Sequence, residues 1–173
     1  MVTRVQKRND GGIGILAELS NLEELDLSSN TLDNSILPSL NKLSNLKFLN
    51  LATNALNGSI SAKEFGSLNN LKELDLSSNQ VVSILTVNGL RILSNLSNLE
   101  NIDLRYNGLD NIILPSLNKL SNLKILNLAG NKLNGSIFIK EFDGLSNLKE
   151  LDLSKNAKYQ SSQQYVRSIV LTV

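Results

Sequence analysis

The side chains available for chemistry in this chain are mostly carboxylates and amides, because it contains no His and no Cys. The usual nucleophile–base pairs and common metal ligands are therefore missing. Paired carboxylates remain, since Asp75 and Asp103 fall at equivalent places in neighbouring segments. They belong, however, to a regular column (Asp26, Asn50, Asp75, Asp103, Asn127, Asp152) on an open face with no pocket to exclude water. The expectation is a protein that is not an enzyme and that holds no cofactor and no metal. Arg105 and Tyr106 point instead to recognition, because both residue types are enriched at binding hot spots.

The elements that position these residues follow from an internal repeat. The frame L-x-x-L-x-L-x-x-N occurs six times, ending at Asn30, Asn54, Asn79, Asn107, Asn131 and Asn156, at intervals of 24, 25, 28, 24 and 25 residues. In L-x-x-L-x-L the final alternation makes a short strand with its apolar side inward. Stacked strands make a parallel sheet, and the Asn that follows each strand turns into the coil, where its amide satisfies backbone groups no ladder reaches. These six Asn are expected to form a buried structural ladder. Behind the strands, Leu37, Leu40 and Leu43 lie three apart, the spacing of 3₁₀ or short helical turns, and Pro38 and Pro115 suit the start of such turns. Gly58 and Gly135 permit a sharp bend after the ladder Asn. The fold class is an α/β solenoid: a leucine-rich-repeat horseshoe of six full repeats, with a parallel concave sheet and a 3₁₀ or short helical convex side.

A longer period lies over the short one. Residues 19–79 align without a gap on 96–156, 77 residues later, and roughly three quarters of the positions are identical. Residues 13–157 thus read as a solenoid of two 77-residue blocks of three repeats, with a non-repeat N-terminal segment at 1–12 and a non-repeat tail at 158–173. Residues 13–19 read as the back half of a missing coil. Because ancestry explains what the copies share, the positions where they differ are the more informative.

Partners of such a fold are expected on the concave sheet, where the non-framework strand residues project. The candidates are Arg105 and Tyr106, where the first block has Ser28 and Ser29; Phe48 and Ile125, apolar at an exposed strand position and open to two readings, a greasy contact on either side of Arg105 or exposed residues that need no explanation; Glu73, Asp75 and Asp103, which make the face acidic; and Lys155. The acidic column is open to two readings, attraction to a basic partner or D-L-S as a stock filling of the strand. Arg105 and Tyr106 are open to the competing account of drift after duplication. Three N-x-S sequons, at Asn57, Asn95 and Asn134, are possible glycan acceptors in a secreted protein.

Bulk properties narrow the setting. With 17 basic against 16 acidic residues and 41% hydrophobic content, neither disorder nor nucleic-acid binding is expected. No apolar run approaches the ~18 residues of a membrane-spanning helix, and the first twelve residues lack the apolar region of a secretory signal. The absence of Cys fits a reducing compartment, and equally a piece of a secreted protein.

Residues 37–60, LPSLNKLSNLKFLNLATNALNGSI, and again 114–137, resemble the plant-specific class of leucine-rich repeat, whose pattern runs L-P-x-x-L-x-x-L-x-x-L-x-x-L-x-L-x-x-N-x-L-x-G-x-I-P. That class builds the ectodomains of plant receptor-like proteins and receptor-like kinases, and the polygalacturonase-inhibiting proteins. The resemblance covers about 14–156. NLKELDLSSN and NLKFLNLA look most like the receptor-like proteins, which carry repeats, a membrane span and no kinase. The resemblance implies a fragment of a plant cell-surface receptor-like protein in defence or developmental signalling. It would bind a protein or peptide ligand and recruit a co-receptor, with its parent at the extracellular face of the plasma membrane. The alternatives are a free-standing inhibitor similar to the polygalacturonase inhibitors, or a truncated gene copy without function. The chain departs from the pattern in three ways. Ser61 and Phe138 replace the final Pro, repeats three, four and six lack the L-N-G-S-I element, and no Cys-bearing caps occur. A continuous second sheet is therefore not expected.

Overall fold

The computed structural model describes residues 2–4, 19–85, 96–134 and 139–156. Each L-x-x-L-x-L frame contributes one three-residue strand: β2 (Glu24–Asp26), β3 (Phe48–Asn50), β5 (Glu73–Asp75), β7 (Asn101–Asp103), β8 (Ile125–Asn127) and β9 (Glu150–Asp152). They pair in parallel and in register, so that Leu25, Leu49, Leu74, Ile102, Leu126 and Leu151 form one inward column. The framework Leu and Ile of all six frames are buried, and their stacking builds the core. The periodicity of the sequence and the burial of the structure therefore coincide.

A seventh strand completes this sheet. Val2–Arg4 (β1) pairs in parallel with β2, Thr3 opposite Leu25, giving the order β1-β2-β3-β5-β7-β8-β9. The segment 1–12, read as non-repeat, thus lends one strand to the sheet edge. The segment lacks the Leu frame, so nothing in its periodicity announced a strand, but backbone pairing with the edge of β2 needs no particular side chains. Residues 13–18 and the tail at 158–173 lie outside the described residues.

On the convex side the structure combines 3₁₀ and α geometry. Asp33 Oδ1 accepts from Ser35 N at 2.9 Å and starts a 3₁₀ turn, Asn34–Ile36, which runs directly into α1 (Leu37–Leu40). Pro38 sits in the first helical turn, where its missing N–H is not needed. The second block repeats the arrangement with Asp110, Asn111–Ile113 and α2 (Leu114–Leu117). Spacing of three buries Leu37, Leu40 and Leu43 against the backs of the strands. Further 3₁₀ turns occur at Ala62–Phe65 and Ile139–Phe142.

A second, two-stranded parallel sheet joins β4 (Asn57–Ser61) to β6 (Gln80–Leu85). Gly58 takes φ +60° at the start of β4, the bend its position required. Gly135 lies outside the described residues. Among the described residues this sheet holds two strands, and β6 belongs to repeat three, which lacks the L-N-G-S-I element. Val81 and Ile84 supply the apolar inward positions there, both buried, so the element is sufficient for a flank strand and not required for one.

Candidate functional site

The candidate site is the concave sheet and its C-terminal rim, and its geometry starts with the asparagines. Asn79 Nδ2 donates to Leu76 O in its own coil and to Leu51 O in the preceding coil, both at 3.0 Å, while Oδ1 accepts from Leu56 N at 3.0 Å. Asn54, Asn107, Asn131 and Asn156 make the same three-way bridge. Asn30 Nδ2 donates to Leu27 O and Ser28 O. Only Asn79 and Asn131 are buried; the other four are half-buried, because the turn they brace lies at the surface.

The central acidic column also has a backbone role. Oδ1 of Asp26, Asn50, Asp75, Asp103, Asn127 and Asp152 each accepts the N–H two residues on, at 2.8–3.1 Å. An Asx turn of this kind is what a short polar side chain does at the end of a strand. It explains why Asp and Asn interchange along the column: the turn needs one acceptor oxygen, and charge is incidental to it. Asp75 and Asp103 are half-buried and each has Oδ1 engaged by its own turn, and Oδ2 of Asp103 faces the Arg105 guanidinium. Burial pushes the Asp103 carboxyl up, with Asp75 and Asp152 adding to it, and the Arg105 N–H and guanidinium oppose it. Among the described residues no group of three or more acidic side chains is arranged to hold a metal ion.

Phe48 and Ile125 do not flank Arg105. They share the first strand position, where the register runs Phe48, Glu73, Asn101, Ile125, so Glu73 and Asn101 separate them. Arg105 follows the strand end, across the Asp column from both. Its Nε lies 3.2 Å from Asp103 Oδ2, and its own N–H donates to Asp103 Oδ1. Arg105 thus closes over the carboxylate of its own turn. Glu73 is exposed, whereas Ser77 and Ala129 in the Arg105 column are buried and offer nothing to a partner.

Tyr106 has partners that the linear sequence did not suggest. The position before each ladder Asn is left-handed: φ is 53–56° at Ser29, Thr53, Ser78, Tyr106 and Lys155, and 66° at Gly130. Tyr106 N donates to Ala129 O and Gly130 N to Ser154 O, both at 2.8 Å, so these corners stack coil on coil. The Tyr106 ring lies over Gly130, where a Cβ would come within 2.5 Å of its Cδ1. Beyond Gly130, Lys155 Nζ donates to the Tyr106 hydroxyl at 2.8 Å and sits 5.3 Å from the ring centroid. Lys155 is therefore a direct neighbour of Tyr106, with Gly130 between them. The available signal was the difference between the copies, because Tyr, Gly and Lys stand where the first block has Ser29, Thr53 and Ser78.

A second amide ladder also went unremarked. Asn45, Asn70, Asn98, Asn122 and Asn147 each donate Nδ2 to a carbonyl of the preceding coil at 2.6–3.0 Å. Its signal is plain in retrospect, since an Asn directly precedes the first Leu of every frame. Of the sequons, Asn57 and Asn134 are exposed, and each is bridged through its backbone to Asn34 or Asn111. Asn95 lies outside the described residues.

A stack of Leu-framed coils with a parallel sheet on one side, short 3₁₀ and α turns on the other and an Asn ladder between them defines a leucine-rich-repeat solenoid. Family models described as leucine-rich repeat match residues 21–43, 67–83 and 97–157. Receptor-like protein 9b of Arabidopsis thaliana is 44% identical over 70 residues, 40% of this chain and 7% of that protein. Receptor-like protein 13 of the same plant is 39% identical over 136 residues, 79% of this chain and 13% of that protein. Among solved structures, the ectodomain of the Arabidopsis thaliana receptor kinase GASSHO1/SCHENGEN3, in complex with CASPARIAN STRIP INTEGRITY FACTOR 2, superposes with a TM-score of 0.69 at 36% identity. It covers 82% of this chain and 16% of that one. The plant peptide hormone receptor RGFR1 in complex with RGF2 gives a TM-score of 0.62 at 27% identity, over 82% of this chain and 26% of that one. The chain belongs with the leucine-rich-repeat receptor-like proteins of plants, and it spans 7% and 13% of the length of receptor-like proteins 9b and 13. Among the described residues no helix is long and apolar enough to cross a membrane.

Proposed function

We propose that this chain is a ligand-binding stretch of the extracellular repeat region of a plant cell-surface receptor-like protein. Its concave face takes a peptide or protein, and the bound state recruits a co-receptor in defence or developmental signalling. The observation that carries this reading is the rim of β7–β9: an exposed Tyr106 and the cations Arg105 and Lys155 stand on a sheet whose backbone is locked by two amide ladders. A surface held before binding loses little conformational entropy on binding. A peptide hormone receptor and a receptor kinase ectodomain with the same fold were each solved in complex with a factor, which supports a ligand-binding use here. Asn57 and Asn134 fit glycan acceptors on the flank, clear of the concave sheet.

The test is to display the chain on yeast and select binders from a secreted-peptide library, then to challenge them with paired variants. Phe48→Glu with Ile125→Glu alters the concave face; Lys42→Glu with Lys119→Glu alters the convex side. Loss of binding with the first pair alone supports the reading, and binding that survives both that pair and Tyr106→Ser with Lys155→Ser overturns it. Sequencing the transcript outward separates receptor from inhibitor: a signal peptide with a membrane span supports the former, two Cys-bearing caps without a span the latter.

A further inference from the structure

The three corners of the second block, Tyr106, Gly130 and Lys155, are chemically unlike their counterparts Ser29, Thr53 and Ser78. Only about a quarter of the aligned positions differ between the blocks, yet every corner of this column does. The structure shows why the three changes belong together. A Cβ on residue 130 would overlap the Tyr106 ring, so a Thr there, as in the first block, would expel the ring from its seat. With Gly130 in place the ring crosses one whole coil and its hydroxyl reaches Lys155. Independent drift does not account for three substitutions in which the second makes room for the first and the third ties it down.

The arrangement also specifies what it can bind. Lys155 makes no ion pair among the described residues; Asp152 acts on it only through space, its hydrogen bond goes to the Tyr106 phenol oxygen, and two N–H donors remain available. The Tyr106 hydroxyl's hydrogen bond raises the Lys155 pKa, so the ammonium stays charged. The ring beside it is exposed and offers an apolar surface. Arg105 is already paired with Asp103, so the cation left to a ligand at this corner is Lys155, which repels an incoming ammonium. An anion flanked by an apolar group meets both complements at once.

We propose that Tyr106, Gly130 and Lys155 form one preorganised subsite that recognises an internal Asp or Glu side chain next to an aromatic or aliphatic residue of a peptide ligand, with Gly130 as the positioning residue. The proposal rests on the concave-face reading above and narrows it to one rim of coils four to six.

The experiment uses the full chain and an array of C-terminally amidated peptides that differ in one dipeptide: Phe-Asp, Phe-Asn or Phe-Lys. The chain binds Phe-Asp at least about tenfold more tightly than the other two. That preference disappears in Tyr106→Ser, in Lys155→Ser and in Gly130→Thr. Each of these restores the residue that the first block already carries at its corner, so the fold accommodates them. Installing the subsite in the first block of the Lys155→Ser protein, with Ser29→Tyr, Thr53→Gly and Ser78→Lys, restores the preference, and omitting Thr53→Gly does not. A chain that treats Phe-Asp and Phe-Asn alike, or whose preference survives Gly130→Thr, overturns the subsite. So does a preference that appears only when the peptide carries a free C-terminal carboxylate. If library-selected peptides are lost with Phe48→Glu and Ile125→Glu but ignore the corner variants, the subsite falls and the concave-face reading stands.

Discussion

Asn79 and Leu56 lie 23 residues apart, and the 3.0 Å hydrogen bond from Leu56 N to Asn79 Oδ1 joins the turn of one coil to the ladder of the next. Because Nδ2 of the same amide also holds Leu51 O and Leu76 O, replacing it orphans groups in two coils at once. Asn79→Ala is expected to cost about 1–3 kcal/mol through unsatisfied buried backbone groups. Urea unfolding reads this as a lower midpoint with an unchanged slope. A midpoint within error of the parent would mean that water replaces the amide.

Leu126 is 1% exposed in the inward column, on the next-to-last strand between Ile102 and Leu151. Leu126→Ala should cost about 2–5 kcal/mol, the transfer loss plus the cavity left between stacked coils. The same denaturation series measures it, and a cost below about 1 kcal/mol would show that the coils collapse into the gap.

Thr53 is a β-branched residue held at φ 56°. Left-handed backbone is costly for such side chains, and Gly adopts it freely. Thr53→Gly is therefore expected to stabilise the chain by about 0.5–1 kcal/mol, after allowing for the extra entropy of Gly in the unfolded state. A higher thermal midpoint is the expected reading. A lower one would mean that the Thr side chain contributes more at this corner than the strain removes.

The overlap of the Tyr106 ring with a Cβ at residue 130 makes those two positions energetically coupled. Gly130→Thr should be distinctly more costly with Tyr106 present than in a Tyr106→Ser background. A double-mutant cycle should return a coupling of about 0.5–2 kcal/mol. Additive effects would place the ring elsewhere in solution.

Asp103 gives a pH dependence whose sign is determined. Burial, with Asp75 and Asp152 adding to it, raises its folded pKa above the ordinary 3.8, against the pull of the Arg105 N–H and guanidinium. Folding then binds the proton more tightly, so the contribution to stability is complete below 3.8 and is lost as pH rises through the folded value. Asn50 and Asn127 show that an amide makes the same Asx turn. Asp103→Asn should therefore gain on the parent as pH rises from about 3 to 7, followed by urea unfolding at each pH. A variant that loses ground over that range would show the Arg105 pair outweighing desolvation.

The solenoid was legible because it is written in side chains at fixed offsets. Six frames in register identify the inward column, the ladder Asn and the turn residues without reference to anything distant. Strand β1 was not legible, because pairing along an open sheet edge uses backbone groups that every residue carries. The strand in repeat three was missed for a related reason: Val81 and Ile84 bury as well as the expected motif does.

The candidate site divides along the same line. Residue types and their columns came from the repeat, so Arg105, Tyr106 and Lys155 could each be singled out. Which of them meet was decided only in three dimensions. Arg105 turns onto its own Asp103, and Phe48 and Ile125 are held apart by Glu73 and Asn101. Tyr106 reaches across Gly130 to Lys155, 49 residues away. The periodicity of a solenoid dictates where each side chain starts, because stacking places equivalent backbone atoms side by side. Where a long side chain ends depends on whether the next coil leaves room for it, and here that room is a missing Cβ.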